Sequence, residues 1–247
     1  MDALYQQDVC MRDSDRAHVE VGLAQGLDGL AAIKQGARLG WGLEIPASAH
    51  PIVRPRLQEI EWASRFLEER NLACSLVAVS PNASDDLKRW PLEHFVRLCV
   101  YLAEDLGAGV LVFCGPEEAR LLDELGERLH GLPRVEIVQN LHLRRVAALL
   151  SQCGLYVGND SGLMHLAAAV GTPVVILFGP TSPRLYLPGW VRSRAVVSPV
   201  ACPHRLEQAL GHPPCVLGGS CLLGTPCIRA VDPAQVYVAV KEEYARR

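Results

Sequence analysis

No apolar run in the chain approaches the roughly 18 residues that a helical membrane span requires. The opening stretch, MDALYQQDVCMRDSDR, lacks the charged-then-apolar order of a secretory signal. Together these absences predict a cytoplasmic protein, with a peripheral seat on the inner face of the inner membrane still compatible because a small patch suffices for it. An excess of positive charge is missing too. With 24 Lys+Arg against 27 Asp+Glu, the formal net charge is -3, so no long-range field favours a phosphate backbone and no nucleic acid is expected as a partner. Any anion must be held by local groups. No G-x-G-x-x-G follows the first strand-like run, which speaks against a dinucleotide-dependent oxidoreductase. Internal repeats and low-complexity tracts are also lacking.

What is present is ordinary globular material. The 247 residues are 49% hydrophobic and 21% charged, enough for one large domain plus a fragment of another. Of the nine cysteines, Cys74, Cys99, Cys114 and Cys153 sit in apolar segments and read as small buried hydrophobes, while Cys10 is isolated. Cys202, Cys215, Cys221 and Cys227, spaced x12, x5 and x5, fall in a Pro/Gly-rich stretch. A disulfide pair, a four-thiolate metal site with His204 and His212 as spare ligands, or free thiols all fit that spacing. A reducing cytoplasm disfavours disulfides and no tight C-x-x-C pair occurs, so reduced structural thiols are the reading adopted and no metal is assigned.

Residues 1–70 mix signals: six glycines between Gly22 and Gly42, then Pro46, Pro51 and Pro55, and finally a helical pattern from Arg56 to Arg70. From Ser75 the pattern becomes regular. Strands are expected at Ser75–Ser80, Gly109–Cys114, Val135–Val138, Leu155–Gly158 and Val174–Phe178. Helices are expected between them, at Leu92–Leu106, Glu117–Leu129, Leu143–Leu150 and Gly162–Val170. Five strands in such alternation predict an α/β fold with a Rossmann-like parallel sheet, helices on both faces and right-handed crossovers. After Phe178 the order decays into loops until Asp232–Tyr244, a helix with Asp232 as N-cap, of the sort that in a two-domain enzyme often crosses back to the partner domain. The expected organisation is therefore residues 1–70, 71–231 and 232–247.

Ligands of an open parallel sheet bind beyond the carboxyl ends of its strands, and three loops there carry chemistry. In Val157–Pro183, the amides of Ser161, Gly162 and Leu163 begin a helix whose dipole favours an anion, and His165 lies one turn on. The plainer alternative is that Asp160 only caps this helix and His165 only packs. In Ser80–Pro91, Lys88 could neutralise a diphosphate and Ser84 could donate a hydroxyl, or the charges could simply be solvated. After the second strand, Glu117 could accept ribose hydroxyls, or could only favour a helix start.

These loops in this order resemble the donor domain of the heptosyltransferase family, the family 9 glycosyltransferases that build lipopolysaccharide core on a GT-B fold. The resemblance runs from about Ser75 to Tyr244 and rests on Lys88-Arg89-Trp90-Pro91, on the Gly115–Glu117 turn, and on Asn159 to His165 continuing to Phe178-Gly179-Pro180-Thr181. It implies the C-terminal, nucleotide-sugar-binding half of an inverting glycosyltransferase, with ADP-heptose or a similar sugar nucleotide as donor substrate, no required cofactor, and a lipopolysaccharide-type glycan as acceptor. It further implies Ser84 and Lys88 near the phosphates, Glu117 on the ribose, Leu141 beside the adenine, and Asp160, Ser161, Gly162 and His165 on the diphosphate and sugar.

The chain departs from the family at two places. Ser84 stands where a threonine is usual, preceded by Ala83 where a second hydroxyl is frequent. The first 70 residues match at most the tail of the family's acceptor domain, so the general base is expected in a domain this sequence lacks; Asp2, Asp8, Asp13 and Asp15 have no context that singles one out. The alternative is a non-catalytic nucleotide-sugar-binding module, or a remnant acting through a partner chain.

Overall fold

The computed structural model describes residues 48–72, 75–115, 119–202 and 219–246, together with Ala31, Lys34, Gln35, Arg38, Leu39, residues 44–46 and Cys215. The chain divides into a unit of Met1–His50 with Leu206–Gly211 and a larger unit of Pro51–Arg205 with His212–Arg247. In the smaller unit, Arg38 and Glu44 form an exposed ion pair at 3.4 Å.

The larger unit is built on six parallel strands: β1 (Leu76–Ser80), β2 (Gly109–Phe113), β3 (Val135–Val138), β4 (Leu155–Asn159), β5 (Val174–Phe178) and β6 (Ser193–Val197). Their order, β3-β2-β1-β4-β5-β6, is that of a doubly wound Rossmann-like sheet. Helices accompany them among the described residues: α1 (Leu57–Glu68), α2 (Leu92–Val100), α3 (Ala119–Leu129), α4 (Leu143–Gln152), α5 (Gly162–Ala169), the single turn α6 (Pro183–Tyr186) and α7 (Pro233–Ala245).

The period-two alternation of strand side chains splits the core into two layers. Val77, Val79, Val110, Val112, Leu155 and Val157 face one way and meet Phe95 and Leu98 of α2, Leu125 of α3, and Val236 and Val240 of α7. Ala78, Leu111, Tyr156 and Ile176 face the other way and meet Ala63 and Leu67 of α1, Leu149 of α4 and Met164 of α5. Both faces of β1, β2, β4 and β5 are buried, which is why these strands read as short continuous apolar runs.

Two features differ from the sequence expectation. The strand series does not stop at Phe178: β6 pairs parallel with β5 from Ser193 to Val197. As an edge strand bonded on one side, β6 tolerates polar residues, and Arg194 forms an ion pair with Glu242 of α7, so its sequence carries no apolar run. The C-terminal helix starts as expected, with the Asp232 carboxylate accepting the Ala234 N–H at 3.0 Å and Pro233 in the first turn. It then stays on its own sheet, where the Tyr244 hydroxyl donates to the Ser75 carbonyl at 3.0 Å just ahead of β1. Among the described residues no helix is long and apolar enough to cross a membrane.

Candidate functional site

The chain winds from β1 to β2 and β3 on one side and from β4 to β5 and β6 on the other, so the crossovers leave a crevice at the carboxyl ends of β1 and β4. A cleft of about 580 Å3 occupies that position. Its apolar walls include Phe113, Val138, Leu141, Val146 and Leu166, and its polar lining includes Asn82, Ser84, Asn140 and Ser161. Such a shape suits a flat apolar group with a few polar edges.

One end of the cleft is the start of α5. Ser161 is the N-cap residue, in extended conformation, but its side chain makes no cap bond. Its hydroxyl has no hydrogen-bond partner among the described residues. The first amides of the helix have no partner within it, and the positive end of its dipole faces the crevice. A Cβ built on Gly162 would meet nothing within 4 Å, so the space in front of this backbone is open to a ligand. Gly158, two residues before Asp160, is constrained in the opposite way: a Cβ there would lie 2.7 Å from the Tyr156 hydroxyl and 2.8 Å from the Ser80 carbonyl. Burial pushes the Tyr156 phenol up to about 12, a rise tempered by the neighbouring Ser161 and Ser80.

The second loop, between β1 and α2, is folded by its own side chains. The Asp85 carboxylate accepts the Leu87 N–H at 2.8 Å and opens a 3-10 turn over Asp86–Lys88. The Arg89 guanidinium donates to the Ala83 carbonyl at 3.0 Å and pairs with Asp86. The turn drives Lys88 inward. Its Nζ donates to the Asp160 carboxylate at 3.2 Å, with side-chain exposures of 11% and 6%. Asp160 therefore serves as the partner of a buried lysine rather than as the cap of α5, and Lys88 is no solvated loop charge. The Lys88 ammonium also stands 5.8 Å from the centre of the Tyr186 ring. His165, one turn into α5, feels both charges: loss of hydration lowers its pKa most, Asp160 raises it and Lys88 lowers it.

The structure thus divides the residues singled out from sequence. Ser84, Leu141, Ser161 and Gly162 line the cleft. Lys88 and Asp160 form an ion pair beside the start of α5, within electrostatic reach of His165. Glu117 lies outside the described residues. Among the described residues no group of three or more His, Cys, Asp or Glu is placed to hold a metal ion, and His204 and His212 lie outside the described residues. Cys215 and Cys227 are buried, and the Cys221 thiol donates to the Thr225 carbonyl at 3.1 Å within its own turn. Three polar groups of the site were not singled out. Asn82 and Asn140 line the cleft, and Asn140 has a φ of 53°, a left-handed conformation that asparagine tolerates. Asn159 lies fully buried at the end of β4. A polar residue closing an otherwise apolar strand was a usable signal for Asn159; Tyr186, at the end of the single turn α6, offered none.

The family model of glycosyltransferase family 9 (heptosyltransferase) matches residues 53–210. The chain belongs to this family. Among curated relatives, lipooligosaccharide heptosyltransferase 2 of Haemophilus influenzae is 32% identical over 145 residues, covering 54% of this chain and 42% of that protein. Lipopolysaccharide heptosyltransferase 1 of Escherichia coli is 35% identical over 100 residues, covering 40% of this chain and 30% of the other. The family 9 chain thus spans less than half the length of these relatives. Solved structures agree on the fold. The glycosyl transferase family 9 protein from Veillonella parvula superposes with a TM-score of 0.72 at 20% identity over 91% of this chain and 62% of that one. ADP-heptose lps heptosyltransferase II of E. coli gives 0.65 at 21% identity over 87% and 61%.

Proposed function

We propose that this chain is the donor half of an inverting heptosyltransferase, binding ADP-heptose or a similar sugar nucleotide for transfer to lipopolysaccharide core or a related glycan. The observation that carries the reading is the gathering of three features at the carboxyl ends of β1 and β4: an apolar cleft, an uncommitted helix start and a buried lysine. In this reading the adenine lies against Leu141, the ribose is met by Glu117, and the diphosphate spans Ser84 and the amides at Ser161 and Gly162. Lys88 faces the departing phosphate, and His165 stands at the sugar end.

Asp160 has a distinct task. An ionised carboxylate repels a phosphate oxygen, so its useful contacts are to the Lys88 ammonium and to sugar hydroxyls, which donate to it. In the transfer, the acceptor hydroxyl attacks the anomeric carbon, the bond to the diphosphate oxygen breaks, and the leaving group's growing negative charge falls on the helix amides and Lys88. The hydroxyl proton passes to a base in the acceptor half, to which residues 1–70 contribute the end and the linker helix. That half belongs to the same or a partner chain. The donor itself is the only small molecule the reaction consumes, and its place is the cytoplasm, at the inner face of the membrane that holds the acceptor lipid.

Calorimetric titration of the purified chain with ADP tests the reading. One-to-one binding, weakened at least about tenfold by Lys88→Gln, is expected; absence of ADP binding overturns it. Transfer from ADP-heptose to deacylated core lipid then separates an active chain from a donor module that needs its other half.

A further inference from the structure

We infer that Asn159 is a positioning residue that holds the phosphate-facing lysine in place, an inference that rests on the donor reading above. Asn159 ends β4, is 0% exposed, and bonds the neighbouring loop through its carboxamide. Its Nδ2 donates to the Pro81 carbonyl at 2.9 Å and to the Asn82 carbonyl at 3.4 Å. Its Oδ1 accepts the Trp90 N–H at 3.1 Å. Pro81 and Trp90 are the two feet of the loop that carries Ser84 and Lys88. The next residue, Asp160, takes hold of the same loop through Lys88. Two consecutive residues at one strand end therefore grip the same loop, one at its feet and the other through its lysine.

The chemistry of the grip is specific. The feet present carbonyl oxygens on one side and an N–H on the other, so the clamp must donate and accept at once. A carboxamide does both; an ionised carboxylate would turn an oxygen toward two carbonyls, and an apolar side chain would leave buried backbone groups unpaired. The Trp90 foot is fixed independently, since its indole N–H donates to the Val231 carbonyl at 2.8 Å and its ring packs edge-on to Phe95. Releasing Asn159 consequently frees the Pro81 side, and with it the reach of Lys88, while the indole anchor remains.

The test measures ADP and adenosine binding to the purified chain carrying Asn159→Ala, Lys88→Gln or both, with melting curves to establish that each is folded. Asn159→Ala is expected to weaken ADP about tenfold or more and adenosine by less than about threefold, because the lysine acts on phosphate. In the Lys88→Gln background the same substitution should add less than about twofold, the non-additivity of two residues acting through one group. Should Asn159→Ala fail to fold, Asn159→Ser, which retains a donor, carries the same comparison. Equal losses for ADP and adenosine, or effects that multiply in the double variant, overturn the inference and leave Asn159 as fold bracing. If the unaltered chain binds no ADP, the donor reading itself fails; if it binds ADP and the Asn159 variants bind equally well, the positioning role alone falls.

Discussion

Lys88 and Asp160, 72 residues apart in the chain, form a buried ion pair at 3.2 Å. Neither charge reaches much water, so the pair is held together as much by the cost of separating it as by its attraction. Removing the lysine alone leaves a carboxylate stranded. Lys88→Met is expected to lower the unfolding free energy by about 3–5 kcal/mol, and Lys88→Met with Asp160→Leu to recover most of that loss. Urea denaturation decides; a single variant with the unaltered midpoint would show the pair to be solvent-screened.

Gly162 separates binding from folding. Nothing stands within 4 Å of where its Cβ would be, so Gly162→Val should melt within about 3 °C of the unaltered protein. The added side chain would project into the space that the donor reading gives to a pyrophosphate at the helix amides, and on that reading ADP affinity should fall at least about tenfold. Equal affinity would move the anion elsewhere.

Acid should destabilise the protein through two histidines. Burial lowers the pKa of His94 most, with Glu93 opposing, Arg97 adding and Asp232 opposing; burial likewise leads at His165. Below the ordinary value of 6.5, the unfolded chain takes up protons that the folded chain refuses, so stability is lost as pH falls from there toward the depressed folded values. Denaturant midpoints across that window should decline with acidity, less so in His94→Gln. Nuclear magnetic resonance should place the His165 titration below 6.5, and saturating ADP should raise it, because a nearby anion favours the imidazolium.

Trp90 ties the site to the tail. Its indole bonds the Val231 carbonyl, and its ring meets His94 and Phe95 edge-on at 5.1 and 4.9 Å. Trp90→Ala is expected to cost about 3–5 kcal/mol, measured by chemical denaturation. Hydrogen exchange should also quicken in the 3-10 turn Cys227–Ala230, which the indole pins from one side.

The legibility of the molecule follows the range of the forces involved. The inner strands are visible because burial on both faces demands unbroken apolar residues, and the Asp232 cap because its partner is two residues away. β6 is not visible, since an edge strand whose arginine answers a glutamate on α7 needs no such run. At the site, Ser161 and Gly162 could be placed from the strand-to-helix junction alone, whereas the role of Asp160 could not.

By itself, then, the order of residues determined the alternating sheet, the helix start that can accept an anion, and the family motif, because each depends on neighbours a few positions apart. Only the tertiary structure decided that Lys88 turns inward to Asp160 and that Asn159 clasps both ends of the lysine's loop. Those outcomes depend on which strands lie side by side, and the placing of β4 next to β1 brings residues some 70 positions distant within bonding reach.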